Sequence, residues 1–72
     1  MTIYKNSTGK SGVSQYEYGN DYIKIQFSTG TTYLYNYSSA GKENIEHMKK
    51  LADQGAGLNA FINTTVKYKY VH

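Results

Sequence analysis

The residues best suited to binding chemistry form a short run near the carboxyl end, where cationic and aromatic side chains alternate. This run is Lys67, Tyr68, Lys69 and Tyr70. Single-stranded RNA is held by rings that stack on its bases and by cations that contact its phosphates. Lys24 and either Lys49 or Lys50 would extend this surface if they fall on the same side of the fold. The opposing interpretation, that each lysine is an ordinary solvated charge, is favoured by a net charge of only +3.

Residue types that support catalysis or metal binding are few and poorly spaced. His47 has Glu43 one helical turn before it, and two ligands at that spacing are too few for a zinc site. No cysteine completes the set, and His72 is the last residue. Asn59 is more simply explained by hydrogen bonds to backbone groups at a helix start. We therefore expect a protein that is not an enzyme, with no metal and no cofactor.

The triplet Gly9-Lys10-Ser11 invites comparison with a phosphate-binding loop. Such a loop needs two glycines flanking four residues before the Lys-Ser pair, a strand before it and a helix after it. Here one glycine stands alone and Val13 begins a predicted strand. The triplet is therefore interpreted as part of an ordinary loop.

A sheet must position these candidates, and residues 22–37 predict its central β-hairpin. Alternation with period two places Ile23, Ile25 and Phe27 on the core face of the first strand. A two-residue loop would put Thr29 where φ must be positive, which strains a β-branched residue. A three-residue loop needs only one left-handed residue at its end, and Gly30 supplies it.

The loop length decides which face of the second strand is buried. With three loop residues, Tyr33 lies opposite Ile25 and Tyr35 lies opposite Ile23. Both tyrosines are then packing residues on the core side rather than a stacking platform. Leu34 is left on the outer face of the sheet.

Another strand is predicted at residues 13–18. The glycine and asparagine at 19–20 suit a two-residue primed turn, which would set Tyr16 opposite Ile23. That register keeps Tyr16 and Tyr18 on the buried side. The meander therefore presents aromatic and β-branched side chains to one face, which needs a cover.

Residues 42–54 predict the helix that provides this cover. Its apolar side chains recur at spacings of three and four and are Ile45, Met48 and Leu51 or Ala52. One of the two serines at 38–39 can cap its start, and Gly55 supplies its end. Glu46 and Lys50 form a favourable exposed pair that implies no function.

A short second helix is predicted at residues 57–63, which must dock on other elements to be stable. Its apolar side carries Leu58, Phe61 and Ile62. Residues 65–71 alternate again and predict a fourth strand or an extended edge segment, pairing with a short amino-terminal strand at 2–5. Lysines on such an edge also guard against aggregation, so they need no ligand.

The predicted fold class is α+β, in one domain that covers residues 1–72. An antiparallel meander of three to four strands is covered on one face by two helices, in the order β-β-β-α-α. Without cysteine there is no disulfide framework. No run approaches the ~20 apolar residues of a membrane span, and the amino-terminal run has no apolar segment typical of secretion. We expect a cytoplasmic protein with no membrane partner.

Two groups of residues match the pattern of a known family. The first is Ile23-x-Ile25-x-Phe27, Gly30 and Tyr33-x-Tyr35; the second is Gly55, Leu58-Asn59, Ile62 and residues 66–70. On these residues the chain resembles, over roughly 13–70, the KTSC domain of some lysyl-tRNA synthetases, also found as a small stand-alone bacterial protein. One departure is the absence of proline where the family commonly has a Val-Pro-like step before the helix. The resemblance implies an RNA-binding role, which has been suggested for the family.

The leading hypothesis is a non-enzymatic binding module for RNA, acting through the carboxyl-terminal run. The alternative is protein–protein interaction or self-association, in which an exposed edge strand pairs with a partner's strand. The absence of arginine counts against specific recognition of phosphate or guanine.

Overall fold

The computed structural model describes residues 2–5 and 12–71. Its strands are β1 (Thr2–Ile3), β2 (Val13–Tyr18), β3 (Tyr22–Phe27) and β4 (Thr32–Asn36). They form one antiparallel sheet in the order β1-β2-β3-β4. The helices are α1 (Tyr37–Ala40), α2 (Lys42–Gln54) and α3 (Leu58–Phe61), and a π-helical segment (Ile62–Val66) continues α3. The predicted α+β class, a meander followed by helices, is confirmed.

The central hairpin has the predicted register. Ile25 pairs with Tyr33 and Ile23 pairs with Tyr35. The Gly30 N–H donates to the Phe27 carbonyl at 2.8 Å, and Gly30 has a φ of 97°. A glycine at the end of a three-residue loop therefore fixes which side chains of β4 reach the core.

The register between β2 and β3 differs from the prediction by two residues. Tyr16 pairs with Ile25 rather than Ile23, and an irregularity lies between Val13 and Gln15. The turn is not a primed one, because no residue other than glycine has a positive φ in the described part of the chain and Gly19 is not among the positive-φ glycines. A Cβ at Gly19 would collide with the ring of Tyr22. The glycine therefore makes room for that ring. A shift of two keeps Tyr16 on the buried face, whereas Tyr18, predicted on the buried side, is 41% exposed at the end of β2.

The prediction of a carboxyl-terminal strand is wrong. The strand that completes the four-stranded sheet is β1, at the amino-terminal end. β1 pairs with β2, whereas Val66 ends the π-helical segment and the next residue, Lys67, keeps a helical φ of −47°. The apolar residues Leu58, Ile62 and Val66 recur every fourth residue and are all buried. This helical spacing prevails over the alternation of residues 65–71, because it buries one continuous apolar stripe. The Val71 N–H still donates to the Leu34 carbonyl at the edge of β4, at 2.6 Å.

α2 has the predicted bounds and the predicted end, where Gly55 is left-handed with a φ of 77°. Its start differs, because neither serine caps it and Gly41 occupies the N-cap position. Ser39 instead forms a reciprocal capping box with Asn36 at the start of α1. The exposed ion pair also differs: Glu46 binds Lys49 at 2.8 Å, at a spacing of three residues rather than four.

The core lies between the sheet and the helices, on one face of the sheet. The sheet side contributes Tyr4, Val13, Tyr16, Ile23, Ile25 and Tyr35. The helical side contributes Ala40, Ile45, Met48, Ala52, Leu58, Ile62 and Val66. The Leu58 N–H at the start of α3 donates to the hydroxyl of Tyr4 at 3.3 Å, so a core tyrosine satisfies a helix terminus that has no side-chain cap. Within the described ranges, no helix combines the length and apolarity needed to cross a bilayer.

Candidate binding site

A cavity of about 390 Å³ opens at the end of the sheet where β3 turns into β4. We call it the aromatic cavity, because five of its lining residues carry aromatic rings. These are Phe27, Tyr33, Tyr35, Tyr68 and Tyr70. Ile62 of the π-helical segment also lines it, so the cavity lies between the sheet and the carboxyl-terminal part of the chain.

The rings of the cavity are positioned by strand register and by their contacts with one another. Phe27 and Tyr33 lie on neighbouring strands with ring centroids 5.6 Å apart, edge to face. Tyr70 packs on both tyrosines of β4, with centroid distances of 4.5 Å to Tyr33 and 6.4 Å to Tyr35. Such tilted and edge-to-face pairs are favourable arrangements of aromatic quadrupoles. They join the four rings into one continuous aromatic wall.

Lys67 is the one charged residue among the described residues that line the aromatic cavity. Its ammonium lies over the ring of Tyr68, 5.4 Å from the ring centroid. None of the five aspartate and glutamate side chains, which all lie in the described part of the chain, lines the cavity. Deeper in the cavity, burial raises the pKa of Tyr35 to about 12, and the nearby Tyr33 and Tyr70 add to the shift. Tyr35 is therefore a neutral phenol even above the usual titration range of tyrosine. Aromatic walls beside one lysine suit a planar ring that carries an anionic group.

The structure divides the alternating carboxyl-terminal run into different roles. Tyr68 is 72% exposed and stands beside Lys67 at the cavity mouth. Tyr70 is half-buried against the β4 tyrosines rather than free in water. Lys69 is exposed but does not line the cavity. One ring and one cation of the predicted surface therefore lie together in the open, and a second ring forms part of the wall.

The other lysines considered for this surface lie elsewhere. Lys24 pairs with Leu34 in the sheet and points to the outer face, away from the helices. The Lys49 ammonium donates to the Glu46 carboxylate at 2.8 Å and to the Asn20 carbonyl at 2.9 Å. Lys50 is exposed on α2. None of the three lines the aromatic cavity.

Outside the lining of the aromatic cavity, tyrosine hydroxyls and carboxylates join α2 to β2 and to α1. We call this the tyrosine–carboxylate seam. Asp53 accepts hydrogen bonds from the hydroxyls of Tyr16 at 3.0 Å and Tyr18 at 2.8 Å. Glu46 accepts from the hydroxyl of Tyr37 at 2.8 Å. The seam accounts for three of the nine tyrosines by structural contacts alone.

These contacts shift the pKa values of the groups that make them. Burial and then the hydrogen bond to Asp53 raise the pKa of Tyr16 to about 12. The hydrogen bond from Lys49, followed by that from Tyr37, lowers the pKa of Glu46. The phenols of the seam are thus held protonated and its glutamate is held ionised, which is the charge state that the hydrogen bonds require.

The remaining sequence candidates do not form a reactive group. His47 is exposed and its ring lies 4.7 Å from that of Phe61. The side-chain carbonyl of Asn59 accepts a hydrogen bond from Asn63 at 3.3 Å. Among residues 2–5 and 12–71, no cluster of three or more histidine or carboxylate side chains could hold a metal ion. The Gly-Lys-Ser triplet at 9–11 and the terminal histidine lie outside the described residues.

The sequence predicts Tyr33 and Tyr35 on the core side, as the structure has them, but does not predict the cavity beside them. It predicts Phe27 and Ile62 as packing residues and Asn63 as the end of a helix. One signal could have found the cavity: the turn at 28–30 places short polar residues next to Phe27 and Tyr33. Small side chains beside large rings leave space at the end of a sheet.

A scan against known protein families, a search of curated proteins and a search of solved structures each found no match. The role of the aromatic cavity therefore has to be inferred from its own geometry.

Proposed function

We propose that this chain is a non-enzymatic binding module for unpaired RNA, and that the mouth of the aromatic cavity is its contact surface. The observation that carries the proposal is the exposed ring of Tyr68, with the Lys67 ammonium beside it, at the edge of a cavity walled by aromatic side chains. Unpaired bases bind proteins by stacking on such rings, and the adjoining phosphates bind cations. A cytoplasmic location is part of the proposal, since the chain would meet RNA there.

The distribution of charge supports RNA as the ligand. Glu46 and Asp53 belong to the seam, where they bind tyrosine hydroxyls, and neither lines the cavity. A phosphate that approaches the cavity therefore meets Lys67 without a lining carboxylate to repel it. The resemblance to the KTSC domain adds an independent suggestion of the same role.

The test is a titration of a fluorescent single-stranded RNA at low salt, monitored by anisotropy. Base–aromatic stacking contributes about 1–3 kcal/mol per base, so Tyr68→Ala should weaken binding roughly 5- to 150-fold. Because Tyr68 is 72% exposed, this substitution should leave folding intact. Affinity should also fall as salt rises, since phosphate contacts release counterions.

A matched pair of lysine variants separates a specific contact from general charge. Lys67→Met removes the cation at the cavity and Lys50→Met removes an exposed cation on α2. We expect Lys67→Met to weaken RNA binding several-fold more than Lys50→Met. Equal losses for both variants, together with an unchanged affinity for Tyr68→Ala, would refute the proposed surface.

Self-association is a second candidate function, and one observation favours it. Ile3 on the edge strand β1 is 67% exposed, and an edge strand with an apolar side chain can pair with another copy. Light scattering at high protein concentration tests this: a dimer that is lost in Ile3→Lys supports the candidate. A strict monomer eliminates it.

A further inference from the structure

We infer that the aromatic cavity takes a single nucleotide, so that a nucleoside monophosphate is the smallest ligand that occupies it fully. This inference rests on the proposed function and deepens it, because it defines which part of an RNA enters the site. It concerns the inside of the cavity, whereas the proposed function concerns the exposed surface at its mouth.

The size of the cavity is the first argument. Its volume of about 390 Å³ lies near the lower end of the range of about 300–1,000 Å³ that is typical of small-molecule sites. Its side walls are the rings of Phe27 and Tyr33 from the sheet and Tyr70 from the carboxyl-terminal run. A space of this size with aromatic walls accommodates one planar base with its sugar, but not a stack of bases.

The number of cations at the cavity is the second argument. Lys67 is the one lysine among the described residues that line it. A strand that crossed the surface would need a series of cations along its phosphates. Lys69 is exposed two residues along the chain but does not line the cavity. Lys24 and Lys49 do not continue such a series either, since one faces the outer side of the sheet and the other is bound by Glu46. One cation matches one phosphate.

The polar groups of the cavity predict that it binds different bases with similar affinity. The turn contributes the hydroxyls of Ser28, Thr29 and Thr31, which can both donate and accept hydrogen bonds. Purine and pyrimidine monophosphates should therefore bind within about tenfold of each other, because stacking accepts every base.

The test is an NMR titration of the full chain with four probes: adenosine monophosphate, uridine monophosphate, adenosine and ribose 5-phosphate. Both monophosphates should shift the resonances of Phe27, Tyr33 and Ile62. Adenosine should bind roughly three- to tenfold more weakly, because it lacks the phosphate for one exposed lysine. Ribose 5-phosphate should leave these resonances unchanged, since it has no ring to stack.

Two lysine variants distinguish a specific contact of Lys67 with the phosphate from a general effect of positive charge. Lys67→Met should reduce the affinity for the monophosphates to that for adenosine, and Lys50→Met should leave it unchanged. If the monophosphates shift no cavity resonance while RNA still binds, the inference is overturned and the proposed function stands. If the monophosphates bind in the cavity and RNA does not bind, the cavity inference is supported and the RNA function is overturned.

Discussion

Removing the carboxylate of Asp53 should loosen the attachment of α2 to the sheet. This single side chain accepts hydrogen bonds from two strand tyrosines, Tyr16 at 3.0 Å and Tyr18 at 2.8 Å. Asp53→Ala abolishes both contacts without removing an apolar core side chain, because Asp53 itself is exposed. The substitution therefore tests the seam rather than general packing.

The size of the effect follows from the exposure of the partners. A hydrogen bond to a charged group contributes about 1.5–3 kcal/mol when it is protected, but water competes at a surface. Tyr18 is 41% exposed and Tyr16 is 8% exposed. We therefore expect the Tyr18–Asp53 hydrogen bond to contribute roughly 0.5 kcal/mol and the Tyr16–Asp53 hydrogen bond roughly 1 kcal/mol to the free energy of unfolding. In a domain of this length 1 kcal/mol corresponds to about 4–8 °C in Tm. Asp53→Ala should lower Tm by roughly 6–12 °C.

The assay is thermal unfolding followed by circular dichroism, arranged as a double-mutant cycle with Tyr16→Phe. The two substitutions should be non-additive by about 0.5–1 kcal/mol, because each removes the same hydrogen bond. Gln54→Ala, at the neighbouring exposed position of α2, is the control for truncating a helix side chain. Additive effects in the cycle, or an Asp53→Ala shift no larger than the control, would refute the structural role of the seam.

Three further predictions concern pH and the glycine turns. The pKa of Glu46 is lowered by its hydrogen bonds, so the ionised carboxylate should stabilise the fold at pH values above 4.5. This stabilisation should disappear as the pH falls through the lowered pKa of the folded state, and the Tm values of wild type and Glu46→Gln should converge in that range. The pKa values of Tyr16 and Tyr35 are raised from 10.0 to about 12, so stability should fall as pH rises from 10 to 12, and phenolate absorbance should show tyrosines that titrate late. Gly30 has open space around it and a φ of 97°, so Gly30→Ala should lower the free energy of unfolding by about 1–2 kcal/mol. Gly55→Ala should lower it more, because the added Cβ would also collide with Lys5. Equal losses for the two variants in denaturant titrations would contradict this.

The features that the sequence predicted well were those decided by neighbouring residues. The hairpin register depends on a three-residue loop that ends at Gly30. The end of α2 depended on Gly55, where a left-handed residue closes the last turn. In both cases a positive φ is required at one position, and glycine is the residue that accepts it without strain.

The pairing register of β2 with β3 differs from the prediction because a glycine can be required for its missing side chain rather than for a positive φ. The sequence at 19–20 is typical of a primed turn, but Gly19 is needed to admit the ring of Tyr22. That requirement depends on a side chain three residues away that folds back across the turn. The buried faces survived the error, since a shift of two residues preserves the alternation.

The path of the carboxyl-terminal run was missed because two periods coexist in one segment. Alternation at residues 65–71 favoured a strand, whereas the spacing of Leu58, Ile62 and Val66 continued a helix. The helix buries all three side chains, a tertiary gain that local alternation does not reveal. The position of Tyr70, and with it one wall of the aromatic cavity, depends on this outcome.

The seam and the aromatic cavity show how one residue type takes two roles. In the seam the hydroxyls of Tyr16, Tyr18 and Tyr37 bind carboxylates of α2, so their contacts are satisfied within the fold. At the cavity Tyr68 is open beside a lysine. A carboxylate repels phosphate and competes for the lysine, so the seam is unsuited to a nucleotide and the cavity is suited to one. The separation of acids from the cavity, rather than the total charge of +3, is therefore what makes a weakly basic domain a candidate for binding RNA.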